Sequence, residues 1–94
     1  MGILNDCVIA GDYKNGNFKI KGFKQEKVVL EYRTMLGKSE IKLDKKTVES
    51  IAIKKQENNM FTSFYQVEII FNNGKKCLAI LNSITYDKLS AAIY

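Results

Sequence analysis

Two runs of alternating apolar and polar residues near the end of the chain carry the clearest structural signal in the sequence. Residues 64–71 read Phe-Tyr-Gln-Val-Glu-Ile-Ile-Phe and residues 76–81 read Lys-Cys-Leu-Ala-Ile-Leu, with Asn73 and Gly74 between them. An alternation of period two places apolar side chains on one face of a strand, and Asn-Gly favours a tight turn between paired strands. The segment therefore predicts an antiparallel β-hairpin.

A two-residue turn at Asn73 and Gly74 also predicts the register of this hairpin, because it fixes which residues stand opposite one another. Phe71 then pairs with Lys76, and the strands continue outward from that pair. The predicted buried face consists of Val67, Ile69, Phe71, Leu78 and Ile80.

Shorter runs rich in β-branched and aromatic residues precede the hairpin, and turn-forming residues separate them. The Gly and Asn residues between 11 and 17 indicate a turn with positive φ angles. The segment 48–55 is compatible with a helical turn that leads into a strand. The predicted strands before the hairpin cover residues 7–10, 18–23, 28–35, 39–43 and part of 48–55.

The last residues of the chain predict a short helix. Asn82 and Ser83 have side chains that can accept hydrogen bonds from the first amides of a helix beginning near Ile84. Tyr86, Leu89 and Ile93 follow at helical spacing and define one apolar face. A helix of about ten residues is marginal alone, so we expect this face to pack against the sheet.

Length and composition predict one cytoplasmic domain spanning residues 1–94. Apolar residues make up 46% of the chain and charged residues 27%, which is ordinary for a globular domain. No apolar run approaches the roughly 18 residues of a membrane-spanning helix. The first residues lack the charged start and apolar core of a secretion signal, so a cytoplasmic location is the expectation.

The order of these elements resembles the pleckstrin-homology-like superfold in its small bacterial and GRAM-type versions. The resemblance covers nearly the whole chain and is carried best by residues 41–44 with 48–51, and by 71–76 leading to 82–86. It implies a mainly β domain, with about six or seven antiparallel strands in a partly open barrel that the C-terminal helix caps. The family's eukaryotic helix typically carries a tryptophan, which this chain lacks. A small Sm-like or OB-type barrel is the alternative.

The net charge of +5 raises the question of an anionic partner. Lys14, Lys19 and Lys21 follow a basic-x-basic pattern similar to the phosphoinositide loop of pleckstrin-homology domains, and they predict an anionic-surface site. The competing interpretation is a solvated lysine surface, because Arg33 is the single arginine of the chain. Nucleic-acid binding is a third, less favoured interpretation, because alternating strands point aromatic residues away from these lysines.

Catalysis and cofactor binding are not expected. The chain contains no histidine, and its carboxylates are scattered singly, so no general acid, base or metal-ligand cluster stands out. The spacing of Cys7 and Cys77 fits neither a metal site nor a redox motif, and both are predicted to be reduced packing residues rather than a disulfide. We therefore expect a protein that is not an enzyme and takes no cofactor.

A protein partner is the leading functional expectation. Asn58, Asn59, Met60 and Phe61 place two large apolar residues in a polar connection, which predicts a contact with a partner protein. An open barrel also leaves strand edges that pair with another chain or with a second copy. The sequence therefore favours a binding or assembly module, such as a small phage or bacterial regulator or inhibitor. Peripheral binding to an anionic membrane is the alternative.

Overall fold

Seven antiparallel strands and a C-terminal helix form the fold, which is known from a computed structural model that describes residues 6–58 and 63–94. The strands form one open sheet in the order β4-β3-β2-β1-β7-β6-β5. The prediction of a mainly β fold with six or seven antiparallel strands and one C-terminal helix is confirmed. The elements are β1 (Cys7–Gly11), β2 (Asn17–Lys21), β3 (Lys27–Thr34), β4 (Gly37–Lys42), β5 (Val48–Asn58), β6 (Ser63–Phe71), β7 (Lys76–Asn82) and α1 (Ser83–Ile93).

The hydrophobic core draws side chains from the helix and from every strand except β4. Leu30, Ile69 and Leu89 are fully buried and represent β3, β6 and α1 in this cluster. β4 contributes only Ile41, which is partly buried and packs against the core from outside. The edge strand β4 is therefore held mainly by its backbone pairing with β3, whereas the other strands are also fixed by packing.

The helix begins where the sequence predicts, because the Asn82 side chain accepts a hydrogen bond of 2.8 Å from the Thr85 amide. Leu89 and Ile93 are buried, as expected for the inward face, and α1 packs on β3, β5, β6 and β7. Tyr86 is half-buried and meets the Tyr65 ring edge-on at 5.1 Å. The Asp6 carboxylate accepts hydrogen bonds from the backbone amide and side chain of Asn82 and from the Thr85 hydroxyl.

The turn of the β6–β7 hairpin differs from the predicted one. The Gly74 amide donates to the Phe71 carbonyl at 3.0 Å, and the Phe71 amide donates to the Lys75 carbonyl at 2.8 Å. The loop therefore contains three residues, Asn72, Asn73 and Gly74, and Gly74 adopts a positive φ of 88°. This is the hairpin geometry in which a glycine in the left-handed region follows a tight turn.

The extra loop residue shifts the register by one, so that Ile69 pairs with Cys77 instead of Leu78. A shift of one residue turns every side chain of a strand to the opposite face. The prediction that Leu78 and Ile80 lie in the core is therefore wrong, since both are only half-buried. The residues of β7 that are buried are Cys77, Ala79 and Leu81.

Three further expectations are corrected at strand ends. β3 ends at Thr34, so the connection to β4 is the turn Met35–Leu36 instead of a turn beginning at Leu36. Phe23 was predicted to continue β2, but it follows Gly22 (φ 119°) in a loop and is 96% exposed. The segment from Val48 is strand from its first residue, without a helical turn.

Candidate functional site

The predicted partner-binding segment is only partly described by the structure. Asn58 is the exposed last residue of β5. Asn59, Met60 and Phe61 lie outside the described residues, so the predicted contact through Met60 and Phe61 stays a prediction.

Two of the three lysines predicted for an anionic site line one cleft. Lys14 from the β1–β2 loop and Lys19 from β2 face Arg33 and Lys38 across a cleft of about 500 Å³. Arg33 and Lys38 are direct cross-strand neighbours in the β3–β4 pair. Within the described part of the chain, neither of them forms an ion pair. The cleft therefore carries four cations and one carboxylate, Glu31, which pairs with Lys19 and not with Arg33 or Lys38.

Lys21, the third predicted lysine, is engaged elsewhere. Its ammonium group lies 2.9 Å from Glu40 and 3.1 Å from Glu31, and Lys19 lies 3.3 Å from Glu31. These lysines hold the pKa of Glu31 below its ordinary value, with Lys21 contributing most, and both carboxylates raise the pKa of Lys21. The Lys21 charge is therefore matched by two carboxylates, whereas Lys19 contacts only one of them, Glu31, and also lines the cleft.

A fully exposed apolar tip lies at the end of the β3–β4 hairpin beside this cleft. Met35 and Leu36 form the two-residue turn, and both side chains are as exposed as in an extended chain. Two adjacent apolar side chains in full contact with water form a small apolar patch that another surface can cover. The sequence reasoning missed them because it assigned Met35 to a strand, although Gly37 directly after Leu36 is the signal of a tight turn.

The first edge of the sheet, β4, presents backbone groups that have no partner within residues 6–58 and 63–94. Ser39 and Ile41 pair with β3, and the Leu43 amide bonds to the Val28 carbonyl, so the alternate residues point their amides and carbonyls away from the sheet. Among those outward residues, only the Lys42 carbonyl is bonded, to the Thr47 hydroxyl at 2.7 Å. The outward groups of Lys38 and Glu40 are open.

The second edge, β5, is obstructed in several ways. Its pairing with β6 is interrupted by irregularities between Val48 and Ser50 and between Ile53 and Lys55. The Tyr94 hydroxyl lies 3.4 Å from both the amide nitrogen and the carbonyl oxygen of Ile51, on the outer side of the strand. Bulges, lysines and covering groups are the devices that protect sheet edges from pairing.

Three aromatic side chains form a cluster near the β6–β7 turn. The Tyr13 ring contacts Tyr32 at 4.8 Å and Phe71 at 5.1 Å between centroids, and Lys75 lies over its face at 5.3 Å. Phe18 is buried, so the expectation that aromatic residues fill the core holds for this strand. These rings contact each other and pack against the core.

The thiols are placed as packing groups. Cys77 is buried on β7, and its burial raises the pKa of the thiol to about 12. Burial and then the nearby Asp6 charge raise the pKa of Cys7. Both thiols are protonated at neutral pH, so neither is an activated nucleophile. Within the described ranges, no group of three or more His, Cys, Asp or Glu residues is arranged to hold a metal ion.

Comparison of the chain with family models, curated proteins and solved structures finds no match. In the part of the chain that the structure describes, the one helix is too short to cross a membrane. The features from which a function can be argued are therefore the open β4 edge, the Met35–Leu36 tip and the basic cleft.

Proposed function

We propose that this chain is a pleckstrin-homology-like binding or assembly module without catalytic activity, which acts through protein contacts on the β4 side of its sheet. The proposal includes a cytoplasmic location and a regulatory role of the kind small phage or bacterial proteins perform. The strand order and the C-terminal helix are consistent with the proposed family. The rest of the argument depends on the β4 edge.

The single observation that carries the proposal is that Lys38 and Glu40 point unpaired amides and carbonyls outward along a strand without bulges. An added strand satisfies such groups with main-chain hydrogen bonds, and neighbouring side chains supply specificity. Met35 and Leu36, at the start of the same edge, offer apolar area that a bound protein can cover. A protein partner therefore fits both the backbone and the side chains of this edge.

A photo-crosslinking residue introduced at Leu36 tests the proposal in cells that contain the protein. We expect a discrete crosslinked protein product, because this side chain is fully exposed beside the edge. The same residue introduced at Phe23, which is 96% exposed at a different loop, is the matched control and is expected to give less product. Absence of a crosslinked protein from Leu36, or equal products from both positions, contradicts the proposal.

A second candidate function, binding to anionic lipid surfaces, is favoured by the cleft between Lys14, Lys19, Arg33 and Lys38. Cations near an anionic bilayer contribute about 1 kcal/mol each, and the neighbouring Met35 and Leu36 are placed to enter the interface. In this second function, the cations proposed to contact lipid are Lys14 and Lys19, which the sequence predicts, together with Arg33 and Lys38. Lys21, also predicted from the sequence, has no direct role.

Sedimentation with vesicles of neutral lipid, with and without phosphatidylserine, tests this second function. We expect the protein to bind only the acidic vesicles, and we expect this binding to weaken as the salt concentration rises. Arg33→Glu or Lys14→Glu is expected to reduce it. Glu40→Lys is the control, since it adds positive charge next to the cleft and is expected to leave binding intact or to strengthen it. Equal sedimentation with both vesicle types contradicts the lipid function.

A further inference from the structure

We infer that the β4 edge pairs with the β4 edge of a second copy of this chain, antiparallel and centred on Ser39, so that Lys38 of each copy lies opposite Glu40 of the other. This inference rests on the assembly function proposed above, and it names the partner and the register. The partner strand is assigned to a second copy because this edge is complementary to itself. Its charges, its open backbone groups and its exposed turn all match those of a second β4 edge.

The open backbone groups restrict the pairing. In an antiparallel ladder, residues that exchange hydrogen bonds must both point their amides and carbonyls toward the partner strand. On β4 these are the even-numbered residues, because Ser39 and Ile41 are committed to β3. A symmetric pairing of two β4 strands must therefore oppose even residues to even residues. Four such registers, centred on Lys38, Ser39, Glu40 or Ile41, bring the middle of the strand together.

The charges select one of these registers. With Ser39 on the two-fold axis, Lys38 and Glu40 form opposite-charge pairs at both symmetric positions. A register centred on Lys38 opposes two lysines directly, which is unfavourable across a sheet. A register centred on Glu40 opposes two carboxylates directly and also sets Lys38 against Lys42, which is unfavourable for the same reason. A register centred on Ile41 requires the carbonyl of Lys42, which already bonds to the Thr47 hydroxyl at 2.7 Å.

The state of the two charged side chains in one copy agrees with this pairing. Lys38 forms no ion pair within the described residues and lies directly across the strand pair from Arg33, another cation. Glu40 lies directly across from Glu31, another carboxylate, and contacts Lys21 at 2.9 Å while its side chain is still 52% exposed. Each side chain has a like charge beside it in its own copy and receives an opposite charge from the second copy.

The same register also places the exposed Met35–Leu36 turn next to the partner strand. In the same register Gly37 lies opposite Ile41 of the partner strand, and Leu36 lies opposite Lys42. The turn of each copy therefore extends along the end of the other copy's β4, next to the half-buried Ile41. In this position the partner strand is expected to cover part of the exposed Met35–Leu36 turn.

Charge exchange at the two positions provides the test. Sedimentation equilibrium of the wild-type chain is expected to show a concentration-dependent dimer. Lys38→Glu opposes two carboxylates at each symmetric pair, and Glu40→Lys opposes two lysines, so each variant alone is expected to weaken dimerisation by about 10- to 100-fold. Lys45→Glu, the same charge change at an exposed residue beyond the edge, is the control and is expected to leave dimerisation within about twofold.

Mixing the two variants separates a lost contact from a damaged fold. A chain with Lys38→Glu and a chain with Glu40→Lys complement each other at both pairs, so the equimolar mixture is expected to recover wild-type affinity as a mixed dimer. The double variant Lys38→Glu/Glu40→Lys is expected to dimerise with itself for the same reason. A mixture that associates no better than its components overturns the inferred register.

A cysteine on the two-fold axis provides an independent test of the register. Ser39→Cys places two thiols opposite each other at a pair without backbone hydrogen bonds, where Cα atoms are about 4.5 Å apart and a disulfide fits. Mild oxidation is expected to link this variant into a covalent dimer, whereas Ser50→Cys on β5 is the control and is expected to remain mostly single. Equal linking of both variants overturns the assignment to β4.

These outcomes distinguish the inference from the proposed function. A wild-type chain that remains a single copy at the highest attainable concentration overturns the dimer. If the Leu36 crosslink then captures a different protein, the binding function stands and only the identity of the partner is wrong. If wild type is a single copy and Leu36 captures nothing, both the inference and the proposed function fail.

Discussion

The two edge strands of the sheet both carry lysines and glutamates, but they differ in how far their outward backbone groups are protected. β4 is a short, regular strand whose outward groups at Lys38 and Glu40 are open, and only Ile41 ties its side chains to the core. β5 is nearly twice as long but has two irregularities, lysines at 54 and 55, and a tyrosine hydroxyl over Ile51. Ile51 of β5 is buried, and α1 packs on β5 as well as on β3, β6 and β7.

This difference shows that an edge strand becomes available for pairing through the absence of cover, and not through composition alone. Both strands contain lysines and glutamates, and both are edges by topology. The two irregularities and the Tyr94 hydroxyl are what separate the two strands, because both occur at β5 and neither occurs at β4. Four changes test this contrast, in order of decreasing effect.

Truncation of Leu89, which is fully buried between the helix and the sheet, is expected to have the largest effect on stability. Leu89→Ala is expected to lower the free energy of unfolding by about 2–5 kcal/mol, because Leu89 is fully buried and its loss leaves a cavity. Urea denaturation measures the change. Ile84→Ala on the exposed side of the same helix is the control, with an expected change within about 0.5 kcal/mol. A Leu89→Ala loss as small as the control contradicts the account.

Loss of the Asp6 carboxylate is expected to loosen the start of the same helix. Asp6 accepts hydrogen bonds of 3.0 Å from the Asn82 amide and 3.1 Å from the Thr85 hydroxyl, which is buried. Asp6→Ala leaves these donors without a partner and is expected to destabilise the fold by about 1–3 kcal/mol in urea denaturation. Asp6→Asn retains an acceptor and tolerates the positive φ of 65°, so a smaller loss is expected. Equal losses for both variants would contradict this role of the carboxylate.

Removal of the Tyr94 hydroxyl makes the β5 edge resemble the β4 edge at one position. Tyr94→Phe is expected to cost less than about 1 kcal/mol, because both contacts with Ile51 are long at 3.4 Å. Amide hydrogen exchange followed by NMR is the sensitive measurement, and the Ile51 amide is expected to exchange faster in the variant. The Leu30 amide, in the buried strand β3, serves as the reference. An unchanged Ile51 rate would show that the hydroxyl does not protect this edge.

The smallest effect is expected at the turn that joins the two edges. The Lys46 amide donates to Asp44 at 2.8 Å, and this bond, followed by the Thr47 amide and nearby lysines, lowers the pKa of Asp44. A lowered pKa contributes stability above the ordinary value of 3.8, and this stability is lost as the pH falls through the pKa of the folded state. Asp44→Asn is therefore expected to flatten the acid side of the stability curve below about pH 4. Thermal unfolding between pH 2 and 7 measures this, and an acid side identical to that of the wild type contradicts it.

Sequence reasoning succeeded for features that depend on neighbouring residues. The strands and the helix cap at Asn82 follow from alternation and from the chemistry of one side chain. The predicted register of the β6–β7 hairpin is wrong, because Asn73-Gly74 suits both a two-residue turn and the last two positions of a three-residue turn. The choice between them decides whether Cys77 or Leu78 faces the core, and packing against the rest of the sheet makes that choice.

The candidate site was predicted only in part for a similar reason. Lys14 and Lys19 were identified from their spacing, but Arg33 and Lys38 join them only because the β3–β4 pair lies next to β2. Lys21 shares the same sequence pattern, yet its position between Glu31 and Glu40 commits its charge. Charge pattern along one strand therefore cannot show which cations remain available, because the neutralising groups come from other strands.

The sequence by itself determined the mainly β composition, the closing helix and the alternation of buried and exposed positions, since these depend on local periodicity and capping. The tertiary structure decided the order of the strands, the hairpin register and which two strands became edges. It also decided that the Tyr94 hydroxyl lies over the Ile51 backbone of β5, while the outward groups of Lys38 and Glu40 on β4 stay open. These outcomes depend on contacts between residues far apart in the chain, and no local pattern specifies such contacts.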